Sequence, residues 1–241
     1  MRVSFVIPAY NEEAYLAGSL AALQEEIARN GSGIETEIIV VDNASTDRTA
    51  DIAKGFPGVR VTAEPVKGLA CAKQHGFEEA VGDIVAFLDA DTQPLPGWLA
   101  TITREFEADP QVVCVSGPYF YHDLPRAWRS ISWPYEIVLG SVAHFLTGQC
   151  IAGGNMAVRR EALSRAGGFD REIVFYGEDL EAGMRLRKVG KIVFTPRLCV
   201  SSSARRFNKD GIIKTTFLYA GNFLSQAVRK RPIHNVHRDI R

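Results

Sequence analysis

Short apolar runs, each separated from the next by helical spacing, constrain this chain most. Val3–Pro8, Glu37–Asp42, Val59–Thr62, Ile84–Asp89 and Val112–Ser116 are short and rich in β-branched residues. Runs of that kind suit strands buried on both faces, as in a parallel sheet. Helical stretches separate them. Asn11 can cap a helix with Glu12 and Glu13 in its first turn, and Leu16, Leu20, Leu23 and Ile27 continue it to Asn30-Gly31. Ser45, Thr46 or Asp47 can cap a second helix. Leu69–Ala80 and Pro96–Ala108 supply two more, with Pro96 near the first turn. This alternation predicts βαβ units, hence an α/β, Rossmann-like fold with a mostly parallel central sheet flanked by helices. Sheets of this type bind ligands beyond the carboxyl ends of their strands. Pro8-Ala9-Tyr10-Asn11, Asp42 and Asp89 all fall on that edge.

The second half is less regular. Leu124–Ile151 reads as helical in part, broken by Pro134 and several glycines. Asn155–Arg159 reads as a strand followed by a short helix ending at Gly167-Gly168. Glu178–Val189 is a helix closed by Gly190, and Lys191–Pro196 and Leu198–Ser202 are strands. Gly211–Lys230 reads as an amphipathic helix, followed by a polar, basic tail. No linker or repeat interrupts the chain, which predicts a single domain over residues 1–241. Ile137–Val158 runs 22 residues without Asp, Glu, Lys or Arg, long enough to span a bilayer. Gly140, Gly148, Gly153, Gly154, His144, Gln149 and Asn155 within it favour a buried or membrane-surface segment instead.

Lys plus Arg and Asp plus Glu are equal in number, 28 of each, but unevenly placed. Residues 1–125 carry 8 basic and 19 acidic side chains; residues 126–241 carry 20 and 9. An acidic wall facing a basic one would suit a metal–phosphate ligand, carboxylates holding the cation and arginines the anion. Nucleic acid is not expected, because no recognition motif is present and no basic face is interleaved with aromatics. Cys71, Cys114, Cys150 and Cys199 are far apart with no C-x-x-C pair, so they read as reduced thiols of a cytoplasmic protein. The first residues enter a strand pattern at once, without the apolar core of a signal peptide.

Leu88-Asp89-Ala90-Asp91 places two carboxylates just past a strand, where one can hold a divalent cation and the other a ligand hydroxyl. By itself such a pair is common in turns. Its companions are Val6-Ile7-Pro8-Ala9-Tyr10-Asn11-Glu12-Glu13, Val40-Val41-Asp42-Asn43-Ala44-Ser45-Thr46-Asp47, then Gly68, Ala72 and Lys73, and later Gly167-Gly168-Phe169-Asp170 and Gly177-Glu178-Asp179. In this order and spacing the set resembles the family 2 glycosyltransferases, inverting enzymes of the GT-A fold, over about residues 3–205.

The resemblance implies a nucleotide-binding half, residues 1–125, and an acceptor-binding half, residues 126–241. It implies that Pro8, Ala9, Tyr10, Glu12 and Asp42 hold the nucleobase and ribose, that Lys73 faces the nucleotide, and that Asp89 contacts ribose. Asp91 would bind Mn²⁺ or Mg²⁺ bridging the phosphates. Asp179 would be the base, with Glu178 orienting the acceptor or a loop, because adjacent helix residues point about 100° apart and are unsuited to one role. Gly153, Gly154 and Asn155 resemble the loop beneath donor sugar and acceptor. Arg205 and Arg206 suit a diphosphate through their planar forks.

Further implied are a UDP- or GDP-sugar donor and a glycan or lipid-linked acceptor. The Q-x-x-R-W motif of the processive synthases is absent, which argues for transfer of a single sugar. The last 37 residues carry 9 basic and 2 acidic side chains, which suits docking on the inner face of an anionic membrane. Two alternatives compete. A nucleotidyltransferase would want a glycine-rich basic loop where this chain has P-A-Y-N-E-E. An inert sugar-nucleotide-binding protein would be expected to lack Asp91 or Asp179, and both are present.

Overall fold

In a computed structural model, which describes residues 1–148, 151–173, 177–205, 207 and 211, the chain builds one large and one small sheet. The large sheet uses β1 (Arg2–Ala9), β2 (Glu35–Asp42), β3 (Val59–Ala63), β4 (Ile84–Leu88), β6 (Val112–Ser116), β8 (Asn155–Arg159) and β9 (Lys191–Phe194). Their order is β3-β2-β1-β4-β8-β6-β9. Every pairing is parallel except those of β8, which runs antiparallel to β4 and β6. The small sheet joins β5 (Thr92–Pro94), β10 (Val200–Ser202) and β7 (Tyr119–Tyr121).

Alternation along β1 shows why its run is apolar throughout. Val3, Phe5 and Ile7 point to one face, and Val6 to the other. Onto the first face pack α1 (Leu16–Asn30), α2 (Thr49–Lys54) and α4 (Trp98–Ala108), through Leu16, Leu20, Leu23, Ala53, Trp98, Leu99 and Ile102. Onto the second pack α3 (Leu69–Glu79), α6 (Arg160–Arg165) and α7 (Glu178–Leu186), through Ala72, Ala162, Leu163, Ala182 and Leu186. Both faces of the sheet are therefore dry, as the runs require.

Several boundaries differ from the sequence reading. Asn11 does not cap α1. It sits in the loop before it with a positive φ of 52°, and the helix starts at Leu16 behind Tyr15. Glu12 and Glu13 are thus loop residues. The second helix starts at Thr49, behind Arg48 at the cap position, with Asp47 Oδ1 accepting the Thr49 N–H at 2.9 Å. Pro96 precedes α4, which opens at Trp98 after Gly97 with φ of 86°.

The largest difference is α5 (Arg126–Thr147), one helix of 22 residues that runs through Pro134 and Gly140. Pro134 deletes one helical N–H, yet packing carries the helix on. Trp133 meets Phe120 edge-on, with ring centroids 5.9 Å apart, and Gly140 lies directly against the Phe194 ring of β9. Among the described residues no helix is long and apolar enough to cross a membrane. Cys71, Cys114 and Cys199 are buried free thiols. Cys150 and the expected Gly211–Lys230 helix, beyond its first residue, lie outside the described residues, as does the basic tail.

Candidate active site

Three parallel strands deliver their carboxyl ends side by side. Ala9 of β1 is in register with Asp42 of β2, and β1 also pairs β4, whose end releases Asp89. The loops that follow are tied to one another. The Asn11 N–H donates to Ser45 Oγ at 3.0 Å, and the Thr46 N–H donates to Asn11 Oδ1 at 2.8 Å. Glu12 N–H donates to Thr49 Oγ1 at 2.7 Å. Asn11 and Ala44 both hold positive φ, 52° and 60°. Such backbone in non-glycine residues costs energy that the surrounding bonds must offset. Asn43 donates to the carbonyls of Glu64 and Val66 and accepts from the Gly68 N–H. That clamps the next loop, whose Lys67 lies 4.1 Å from the Tyr10 ring centroid. Pro8, Ala9, Tyr10 and Asp42 therefore form one rigid rim.

The D-x-D turn hangs from β4. Ser19 Oγ donates to the Ala90 carbonyl at 2.7 Å, and the Thr92 N–H returns to the Asp89 carbonyl at 3.0 Å. Asp91 faces Arg205, whose Nη2 lies 3.0 Å from Asp91 Oδ2. The same guanidinium grips Glu12 with both nitrogens, at 2.8 and 2.6 Å, and covers the Tyr15 ring. Asp123 anchors this corner by accepting from Ser203 Oγ and the Ala204 N–H. Arg205 is thus brought to the carboxylate expected to face a metal–diphosphate. Glu12 holds that arginine. Arg206 lies outside the described residues.

Across the cleft, Gly177 with φ of 104° starts α7, which presents Asp179. Its Oδ2 accepts the Gly153 N–H at 3.1 Å and its Oδ1 the Leu180 N–H at 2.8 Å. The neighbouring Gly154 accepts at its carbonyl from Asp89 N–H (3.3 Å) and donates its N–H to Tyr119 Oη (3.0 Å). A Cβ on Gly154 would fall inside the Asp89 carboxylate. The glycine pair is therefore a thin wall between Asp89 and Asp179, and a side chain at either position would have to displace Asp89, Lys73 or Asp179. Burial pushes both carboxyls up to about 6, with Glu178 adding repulsion at Asp179 and Lys73 opposing it at both. A group in that range is ionised at neutral pH yet still basic.

Four expected residues are placed differently from the reading of the sequence. Glu12, expected to hold the nucleobase and ribose, is 2% exposed and has both carboxylate oxygens on Arg205. Lys73 is not at an open nucleotide surface; it is 1% exposed and pairs with Glu178 at 2.7 Å. Glu178 is buried against it and does not point into the cleft from a free position. Asn155 contributes no side chain to the cleft either. Its amide is spent on the carbonyls of Leu198 and Pro118 and on the Trp98 Nε1–H. It locks β8 to the strand-end loops instead. Tyr119 and Lys67 reach the site without any motif to announce them; a Tyr-Phe-Tyr triplet after β6 was the one available signal.

A D-x-D pair, an arginine and a second carboxylate gathered at the carboxyl edge of a doubly covered sheet fit a GT-A fold. The comparisons agree. The family model "Glycosyl transferase family 2" matches residues 4–167, and the chain belongs to that family. It is 30% identical over 212 residues to the uncharacterized protein MT1568 of Mycobacterium tuberculosis, covering 80% of this chain and 64% of that one. It is 37% identical over 142 residues to the undecaprenyl-phosphate 4-deoxy-4-formamido-L-arabinose transferase of Pseudomonas paraeruginosa, covering 56% of this chain and 40% of the relative. The chain thus spans less than two-thirds of the length of either relative. Among solved structures it resembles a mannosyltransferase of Pyrobaculum calidifontis in complex with GDP-Man and Mn²⁺, with a TM-score of 0.70 at 24% identity over 94% of this chain and 64% of the other.

Proposed function

We propose that the chain is an inverting glycosyltransferase that moves a single sugar from a UDP- or GDP-sugar to an acceptor hydroxyl or lipid phosphate. The observation that carries this reading is the glycine pair, flanked by Asp89 of the donor side and Asp179 of the acceptor side. A sugar lying over Gly153-Gly154 would have its diphosphate toward Asp91 and Arg205 and its other face toward Asp179. On this reading residues 1–125 and 126–241 both supply the one site.

On this reading Pro8, Ala9, Tyr10 and Asp42 frame the base and ribose, and Asp89 takes a ribose hydroxyl. Arg205 supplies two donors in a fork matched to phosphate oxygens. Asp179 accepts the proton of an attacking hydroxyl, which is a poor nucleophile until that proton leaves. Attack from the face opposite the diphosphate inverts the anomeric centre, and no covalent sugar–enzyme bond forms.

The donor set fits a divalent cation of the Mn²⁺ or Mg²⁺ kind. No group of three metal-binding side chains occurs among the described residues, and such ions are commonly held by one or two carboxylates plus substrate phosphates. The cation Arg205 already sits at Asp91, so that carboxylate's position accepts positive charge. Asp91 would hold the ion, which when bound neutralises charge on the diphosphate.

The acceptor side is consistent with a membrane-borne substrate. Trp128, Tyr135, Val138, Leu139, Val142 and Phe145 form an exposed apolar face on α5, with Phe145 88% exposed. The helix ends at Thr147, just before the Gly153-Gly154 turn. With the basic tail, this suits the surface of an anionic membrane.

Calorimetric titration with UDP and with GDP, each with and without Mn²⁺, tests the reading. Tight binding of one nucleotide that depends on the ion is expected. Asp91→Asn should weaken it at least tenfold while leaving the protein folded. Ion-independent binding, or an unchanged isotherm for the variant, would remove Asp91 as the ion's holder.

A further inference from the structure

Lys73 sits deep behind the cleft wall. Its Nζ lies 2.7 Å from Glu178 Oε1, both side chains being buried. It also lies against the acceptor wall, since a Cβ on Gly153 would be 2.5 Å from Lys73 Nζ and 3.0 Å from Asp179 Oδ2. One backbone position thus touches both the ammonium and the carboxylate. Three ionisable groups face Asp179: Glu178 beside it on α7, Lys73 from α3 and Tyr119 from β7, while Asp89 from the end of β4 faces Lys73. Lys73 is the one cation among these groups. Burial alone would discharge it; the carboxylates of Glu178, Asp179 and Asp89 outweigh burial and hold it above the usual lysine range.

We propose that Lys73 is a positioning residue, a fixed counter-charge beneath the glycine wall that keeps Asp179 charged against the repulsion of its neighbour Glu178. This rests on the reading of Asp179 as the base. It differs from a nucleotide-contacting role, because Lys73 is 1% exposed and its ammonium is bonded to Glu178. It also gives the adjacent acids opposite work. Glu178 orients Lys73 through a direct bond, and Lys73 in turn sets the charge of Asp179. An isolated buried ion pair contributes little net stability, so a lysine shut in with three carboxylates is better explained by the charge state it imposes than by stability.

The test needs no known substrate. Carboxyl carbon resonances of ¹³C-aspartate-labelled full-length protein are followed with pH, and Asp179 is assigned by the signal missing from Asp179→Asn. Lys73→Met should raise the Asp179 midpoint by about one pH unit or more, the effect expected when a nearby opposite charge is removed. Glu178→Gln should lower it. Should Lys73→Met fail to fold, the double variant Lys73→Met/Glu178→Gln leaves no charge of that pair unpartnered, and its midpoint should lie above that of Glu178→Gln alone. Shifts of opposite sign in the single variants support the proposal. A midpoint that does not move on loss of Lys73, in either background, overturns it. Failure of the base reading is separate: Asp179→Asn would then turn over donor normally while the titrations stood unchanged.

Discussion

At the residue scale the decisive question is what Asp179 does with a proton. Its carboxyl is raised to about 6, burial being the largest cause. The base is the ionised form, so turnover should be full above that value and fall tenfold per unit below it. Asp179→Asn should reduce turnover about 10²–10⁴-fold, the usual worth of general-base help, with donor binding nearly intact. The acceptor changes this expectation. A hydroxyl must lose a proton, whereas a phosphate oxygen is already anionic near neutrality. A steep acid limb therefore indicates a hydroxyl acceptor, and a flat profile with a small Asp179→Asn effect indicates a phosphate. A pH series on wild type and variant separates the two. The grouping of Pro8 to Tyr10, Asp42, Asp89, Asp91 and Asp179 was legible in the sequence because each lies at or just past a strand or helix end; their roles stay part of the proposal. Lys73 and Asn155 were misread because a side chain's direction depends on neighbours about 40 to 105 residues away in sequence, such as Leu198 and Glu178.

At the element scale, the strands of the first half were legible because most of the runs, such as those of β1, β4 and β6, are apolar and buried on both faces. The same logic missed β5 and β7. Three-residue strands carry too little pattern, and β5 and β7 are held in place by pairing with β10 on either side. The helix α5 was read as broken because Pro134 and Gly140 are helix-weakening in isolation. In the fold, Gly140 is what allows the helix to approach β9, since a Cβ there would strike the Phe194 ring. Gly140→Val should therefore destabilise the protein by about 1–3 kcal/mol, the range for overpacking a closed contact. Urea unfolding would measure it. If Gly140→Val is as stable as wild type, the helix has room to move and Gly140 is not the reason for its close approach. The same argument at the glycine wall predicts that Gly154→Ala, which must displace the Asp89 carboxylate, weakens nucleotide binding with little loss of stability.

At the scale of the whole molecule, the split between an acidic first half and a basic second half is partly internal. Arg205 reaches Glu12 and Asp91, and Arg171 reaches Glu64 and Glu78, each from the basic half to the acidic one. These pairs join the two halves, those of Arg205 beside the D-x-D turn. Beyond Arg205, the last 36 residues carry 8 basic and 2 acidic side chains. The tail and the apolar face of α5 would act on a bilayer by different physics. Attraction of the tail to anionic lipid is screened within about 10 Å at 0.1 M salt, whereas burial of apolar surface is indifferent to salt. Full-length protein should therefore co-sediment with anionic phosphatidylglycerol vesicles and less with neutral phosphatidylcholine ones. Deleting residues 229–241 should remove the salt-sensitive part. Val138→Ser with Phe145→Ser should remove the remainder, because both side chains are more than half exposed and on the same helix face. Equal sedimentation of wild type and both variants would mean that neither surface meets lipid. The acceptor would then have to reach Asp179 from solution.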